Sequence, residues 1–518
     1  MSQAGTQEFG KWRSRLWPIH NYELKKLVPM IFMFFLILFN YTVLRDSKDA
    51  LLVCECGNLA IPVVKIFGTS LAAIFFLVIY SKMSNMMSKP KLFYSTIIPF
   101  IAFFALFGLV IYPNAHHLEL TGLGGWLRNA LPSSAGFQAI ADCVQKWPYP
   151  VFYVMAEMWG TVGISLLFWG FANDVTRVSE AKRVYPVLPL MGNAGLLLAG
   201  PTVKFFSWLA GRGDLSAQAA SELSTLYLMG VLVISGITIV TLYWYLNNRV
   251  LNDPRFCPEG DAKMKKKEKP KMGLMESFRY LASSKYLLCL AMLVIGYGMA
   301  INLIEVTWKG QLKMYFPEKN DYLGFMGVFS GITGLVSMLC MVFVGGNVMR
   351  RFGWTSAALF TPVMLLVTGL AFFSFIIFQD SFSSWFGLGA AQVLFLAVII
   401  GAAQNILSKA SKYSLFDPTK EMAYIPLDQE QKVKGKAAID VAGARLGKSG
   451  GAALQLTLSF FVSAAVMVPI VGLLAIGIVL IWLSSAKSLG RQFTALSQER
   501  AAEAAAQEAS TETAPAGA

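Results

Sequence analysis

The sequence predicts an all-α membrane protein of twelve transmembrane helices arranged as two six-helix halves. Three observations predict it. The 518-residue chain is 55% hydrophobic and only 14% charged, too apolar for a soluble protein of this size. Apolar runs of about 20 residues recur, each long enough to cross a hydrocarbon core of ~30 Å as a helix. Between the runs, Lys and Arg are dense in every other loop and sparse in the loops between.

Taken in order, residues 1–26 form a basic tail. Six runs follow at 27–44, 59–80, 92–112, 149–172, 184–208 and 223–246. Residues 247–285 are a basic linker containing KMKKKEKPK, which could touch anionic headgroups but reads first as a solvated connection that fixes topology. The second set of runs lies at 286–304, 323–344, 357–378, 386–407, 437–463 and 465–484. The Ala/Glu/Thr-rich segment 485–518 reads as a disordered tail. No cleavable signal peptide or long Ser/Arg-rich transit peptide is expected, because the N-terminal segment leads straight into a span.

The net charge of +14 raises the question of nucleic acid, and its distribution answers it. With the loops numbered alternately from the N-terminus, one side carries 32 Lys/Arg and the other 8. The remaining four, Lys65, Lys204, Arg445 and Lys448, lie inside runs. Cations concentrate on the cytoplasmic side of membrane proteins, so both termini are expected in the cytoplasm. The basic balance encodes topology and excludes a DNA-binding surface; the bilayer is the partner it implies.

The eleventh run opens with KGKAAIDVAGARLGKSGG, residues 434–451. As a helix, it would place Lys436, Asp440, Arg445 and Lys448 along one half of its surface. Cations at membrane depth are costly unless they meet a partner or a wet cavity, which marks them as functional candidates. The fifth run, RVYPVLPLMGNAGLLLAGP, is also interrupted, by three prolines and three glycines. Fifth and eleventh occupy equivalent places in the two halves, and paired broken spans point to a transporter's binding site.

Sorting ionisable residues by depth puts Lys65, Glu157, Lys204, Asp440, Arg445 and Lys448 inside spans. It puts Arg45, Asp46, Lys48, Asp49, Glu305 and Lys309 at span ends. Bases outnumber acids in this set, so a cavity so lined favours polyanions: Arg grips phosphate bidentately and Lys acts as a point charge. Glu157 and Glu305 can neutralise a lysine while the site is empty and release it to phosphate. Glu305 also has a plainer reading, a helical i, i+4 pair with Lys309.

Some motifs lead nowhere. GARLGKS is one residue short of a phosphate-binding GxxxxGK[ST] loop and sits inside a span, not between strand and helix. His116 and His117 are adjacent in a loop without a supporting acid cluster. Six scattered cysteines lack zinc-site spacing and are read as free thiols; Cys54 and Cys56 offer the one local bridge worth testing. No cofactor is implied.

The strings FNYTVLRDSKDALLV, LLFWGFAN, NLIEVTWKGQLK, QNILSKASKYSLFDPTKEMAYIPLDQEQKVKGKAAIDV and RLGKSGGA resemble the ATP/ADP translocase family of obligate intracellular bacteria and plastids, chlamydial type. The likeness runs from about residue 16 to 485. It implies a major-facilitator-like alternating-access fold, exchange of host ATP for bacterial ADP, and phosphate associated with ADP. It also implies a place in the bacterial inner membrane. GGNVMRRFG, after the eighth run, resembles the Gly/Arg-rich cytoplasmic loop of major facilitators; the corresponding first-half loop, SKMSNMMSKPK, does not. Family positions tied to transport fall on Lys48, Glu157, Glu305 and Lys436.

The expectation is therefore an antiporter, not an enzyme, exchanging ATP for ADP. Lys48, Lys436 and Arg445 would hold phosphates, with Lys65 and Lys448 as further candidates, and Glu157 and Glu305 as switching partners. Two alternatives stay open: a proton-coupled importer of several nucleotides with the same fold, and a membrane enzyme that consumes nucleotide. The enzyme would need a metal-binding acid cluster or a nucleophile–base pair, and neither occurs at convincing spacing.

Overall fold

The computed structural model describes residues 21–176, 187–212, 215–253, 256, 284–428, 431, 435, 436, 439 and 443–512. The linker sequence KMKKKEKPK, Lys434 and Asp440 lie outside the described residues.

The described chain is helical. The first half contributes α1 (Leu24–Cys56), α2 (Ala60–Met86), α3 (Lys89–Ile111), the short α4 (Thr121–Ala130) and α5 (Ala135–Gln145), then α6 (Pro148–Val175), α7 (Val187–Ala210) and α8 (Ala217–Val250). The second half contributes α9 (Lys285–Tyr315), α10 (Lys319–Gly345), α11 (Gly346–Ile377), the short α12 (Gln379–Phe386), α13 (Ala390–Met422), α14 (Ala444–Phe461) and α15 (Ala464–Glu512).

Ten helices among the described residues are long and apolar enough to cross a membrane. The fifth and eleventh runs, expected to complete twelve, correspond to α7 and α14, which stand outside that ten. Both are the glycine-interrupted runs, and α14 is described only from Ala444, so its apolar stretch is short. Apolar side chains cover the outside: Phe67, Leu71, Phe75 and Val78 of α2 and Ile234 and Ile237 of α8 are exposed. So broad an outward apolar face needs lipid, and the chain is a multi-pass membrane protein.

Several helices outrun their apolar cores. No glycine or proline interrupts the chain between Leu44 and Gly57, so α1 carries RDSKD within it and stops at Gly57, where φ is 81°. Likewise α9 runs past Glu305 and Lys309 to Tyr315, just before Pro317. RDSKD and IEVTWKG are thus inside helices, not at span ends. Segment 485–512 is the continuation of α15, not a disordered tail, because its Ala/Glu/Gln-rich sequence has high helical propensity.

The two halves of the chain meet most closely along α7 and α10. A Cβ built on Gly327 of α10 would lie 2.7 Å from Lys204 N and 2.8 Å from Gly200 O. At Gly200 of α7 it would overlap the backbone of Gly331. The glycines of the fifth run therefore bring two backbones into contact. The eleventh run behaves alike, with Gly447 of α14 against Gly298 of α9. At one end of this seam, Ser207 Oγ donates to Asn320 O at 2.7 Å and Asn320 Nδ2 donates to Ser207 O at 2.9 Å. That end lies beyond the last turn of α9, whereas the first turns of α9 face the other end, where Gln492 of α15 meets Cys289 and Arg500 donates to Pro426 O.

Candidate functional site

A chain of buried charges crosses the middle of the bundle. Lys48 of α1 pairs with Glu157 of α6 at 2.9 Å and with Asp49 at 3.1 Å. The other Asp49 oxygen receives Lys309 of α9 at 2.8 Å. Lys309 also pairs with Glu305, one turn back, at 3.2 Å, and Lys409 of α13 reaches the same Glu305 oxygen at 3.6 Å. Six charges from both halves thus form one line: Glu157, Lys48, Asp49, Lys309, Glu305, Lys409.

Beside it runs a second connection between the halves. Arg45 pairs with Asp46 at 3.4 Å and donates to Ser330 Oγ of α10 at 2.9 Å, while Ser330 donates to Asp46 at 2.8 Å. Burial sharpens the point. Asp46, Lys48, Asp49 and Lys309 are all below 5% exposed, whereas Glu157 and Glu305 are 28% and 20% exposed. The two glutamates are therefore the open edge of the cluster. Lys65, half-buried on α2, lies within electrostatic reach of Glu305, Lys309, Glu157 and Lys48. Aromatic faces back two of the cations: Lys48 Nζ is 3.8 Å from the ring centroid of Tyr153, and Lys409 Nζ 5.0 Å from that of Phe329.

The helices carry these groups on irregular backbone. Wide π-type turns occupy Val64–Thr69 around Lys65, Gly160–Phe168 after Glu157, and Lys412–Phe416 after Lys409. Such turns frequently mark functional sites and re-aim the side chains beside them.

Of the residues expected from sequence, the structure brings together Lys48, Glu157, Glu305 and Lys65. Lys436 is elsewhere: it is about half exposed, pairs with the equally exposed Glu421 and faces the Tyr424 ring at 5.5 Å. Arg445 and Lys448 lie on α14, and their side chains are outside the described part of the structure. Lys204 is exposed on α7. Cys54, Cys56, Cys143, Cys289 and Cys340 are free, so the Cys54–Cys56 bridge does not form.

Sequence reasoning left out Lys409 and did not give Asp49 and Lys309 their roles. Lys409 reads as a loop residue beyond Leu407, yet no helix breaker separates it from the tenth run before Pro418. The charge tally by loops likewise counts Arg45, Lys48 and Lys309 with the sparse side and Lys409 with the dense side. All four sit inside the bundle, and removing them widens the asymmetry.

The model of one protein family, TLC ATP/ADP transporter, matches residues 2–493. The chain belongs to this family. It is a transporter, not an enzyme. It is 50% identical over 516 residues to "ADP,ATP carrier protein 1" of Chlamydia muridarum, covering 99% of this chain and 97% of the relative. It is 47% identical to "ADP,ATP carrier protein 1, chloroplastic" of Arabidopsis thaliana, over 94% of this chain and 77% of that one. It is 39% identical to "ADP,ATP carrier protein 1" of Rickettsia bellii, over 93% of this chain and 96% of that one. Among solved structures, the chain is similar to a bacterial homologue of the iron transporter ferroportin in the inward-facing state. That likeness has a TM-score of 0.55 and 13% identity, covering 90% of this chain and 98% of that one. It speaks for the fold alone, that of a helical membrane transporter.

Proposed function

We propose that this TLC transporter is an antiporter that takes up ATP and releases ADP by alternating access. It would sit in a bacterial inner membrane, cross it twelve times with both termini in the cytoplasm, and release phosphate together with ADP. Residues 27–246 and 286–484 are the two six-helix bundles of this reading, joined by the linker 247–285. The line of charges through both halves carries it. Three lysines are held by three carboxylates, and a polyphosphate arriving at the open edge can draw the lysines from Glu157 and Glu305, which are exposed enough to turn to water, while the buried Asp49 keeps Lys48 and Lys309. Lys48 and Lys65 hold phosphates here, joined by Lys309 and Lys409, while Glu157 and Glu305 exchange partners between the empty and loaded states. Arg445 and Lys448 of the eleventh run are further cations of this reading, and Lys436, just before that run and paired with Glu421 away from the line, is a peripheral one. The names of the relatives support the substrates.

Counterflow is the direct test. Liposomes containing the purified chain and loaded with ADP are expected to accumulate labelled ATP, and empty liposomes are not. Uptake that needs a proton gradient in place of internal nucleotide would favour the proton-coupled importer. Recovery of hydrolysed label would favour an enzyme.

The exposed pair Lys436–Glu421 predicts a milder effect than the central residues. Lys436→Ala removes one charge-assisted contact, worth ~1.5–3 kcal/mol. It should raise the apparent KM for ATP by about tenfold or more and spare the maximal rate. Unchanged uptake at low ATP would remove Lys436 from the site.

Phosphate release has an electrical signature. ATP carries one more negative charge than ADP, so exchange of nucleotides alone moves net charge and responds to membrane potential. If a singly charged phosphate leaves with ADP, the cycle is neutral. An exchange rate insensitive to an imposed potassium diffusion potential, and stimulated by internal phosphate, is expected. A rate that follows the potential would count against phosphate.

A further inference from the structure

Where the two halves meet at the Ser207–Asn320 end of the seam, two lysines share one carboxylate. Lys146, just before α6, donates to Glu55 Oε2 at 2.8 Å and to the Glu55 carbonyl at 3.0 Å. Lys319, the first residue of α10, donates to Glu55 Oε1 at 2.7 Å and to Gln218 Oε1 of α8 at 3.2 Å. Glu55 and Lys146 come from the first half of the chain and Lys319 from the second, so the carboxylate ties the halves together. None of the three belongs to the central line of charges. Other acids lie around it: Glu318 precedes Lys319 in the chain, Glu222 accepts from Gln218, and Glu119 accepts from Gln145.

The surroundings suit a larger anion than Glu55. The Lys319 ammonium lies 5.4 Å and 5.9 Å from the ring centroids of Tyr112 and Tyr149. Tyr149 is 1% exposed, and its hydroxyl has no hydrogen-bond partner among the described residues. An unsatisfied buried hydroxyl is costly, and a phosphate oxygen between the lysines and this ring would accept from it. Lys146 keeps 24% of its side-chain exposure and Lys319 keeps 12%, so the cations can be reached. A polyphosphate brings more charged oxygens to the pair than the two of one carboxylate.

We propose that this clasp is an entry subsite for the phosphate chain of a nucleoside polyphosphate. Phosphate oxygens take Lys146 and Lys319 from Glu55, and the tie between the halves is released as they do so. The proposal rests on the exchange reading above and extends it. It adds an anion site remote from the centre, and it makes opening of this end depend on substrate. Under the proposed topology this end faces the outside, so the effect belongs to external nucleotide alone.

The test uses the full chain in ADP-loaded liposomes, with external ATP as substrate and external inorganic tripolyphosphate as a base-free probe. Glu55→Gln leaves both lysines in place without their carboxylate, so the external KM for ATP should fall and tripolyphosphate should inhibit at lower concentration. Lys319→Gln should raise the external KM roughly tenfold, the cost of about one charge-assisted contact. Lys319→Arg should restore it. The KM for internal ADP should stay put in all three. If Glu55→Gln and Lys319→Gln shift the external KM in the same direction, or leave it unmoved, the clasp is only a structural tie and the subsite is overturned. Should Lys319→Gln fail to fold, the direction of the Glu55→Gln shift decides alone. A wild-type chain that exchanges no nucleotide would overturn both readings, whereas normal exchange with unmoved KM values overturns the subsite only.

Discussion

Asp49→Asn is expected to abolish nucleotide exchange and to lower the thermal midpoint of the purified protein. Asp49 is 1% exposed and meets Lys48 at 3.1 Å and Lys309 at 2.8 Å. Neutralising it removes the one buried carboxylate that Lys48 and Lys309 share and leaves each with only a partly exposed glutamate. Removing one partner of a buried ion pair costs ~3–5 kcal/mol, most of it from the charge left uncompensated. The double variant Asp49→Asn with Lys309→Met separates stability from transport. Replacing a buried pair by neutral groups of similar volume is often harmless, so the midpoint should recover. Exchange should not, because Lys309 would no longer hold phosphate. A double variant that is stable and transports normally would show that the line of charges is only scaffolding.

The second large effect is steric. Gly327→Leu should prevent α7 and α10 from packing and yield little folded protein. Its Cβ would already stand 2.7–2.8 Å from main-chain atoms of Lys204 and Gly200, which cannot swing aside as a side chain could. Overpacking a tight interface typically costs ~1–3 kcal/mol, and obstruction by backbone exceeds the usual case. Gly230→Ala on α8 is the control, since a Cβ there meets nothing within 4 Å. It should be neutral or slightly stabilising through the unfolded state. A thermal scan of both variants in detergent decides it; equal midpoints would mean that the seam is loose.

How much of this was legible in the sequence differs by level. The helical bundle follows from the apolar runs, which are governed by a length that lipid imposes on any chain. Depth sorting picked out Glu157 and Lys65 inside apolar runs, where a charge has few innocent explanations, and Lys48 and Glu305 at the ends of runs; all four lie in or beside the central cluster. It misjudged where helices stop. A hydropathy window ends a span at the first charge, whereas the helical backbone runs on through charged residues, so RDSKD and Lys409 fell outside the expected spans. Pairing was less legible still. Asp49 and Lys309 are 260 positions apart in the chain and meet only because α1 and α9 cross. No local periodicity carries that. Lys436 illustrates the converse: its spacing along a helix suggested the centre, and the fold sets it beside Glu421 near the surface.

The matching of Lys48 and Lys309 by Asp49 has a corollary for the nucleotide economy of the cell. If the unloaded bundle is held by its own acids, it has no incentive to turn over until another anion arrives, and each molecule admitted requires one expelled. Such a carrier can refresh the phosphorylation state of an adenylate pool but cannot enlarge it. Growth and division would then depend on a separate source of net adenine, by synthesis or through a carrier without this restraint.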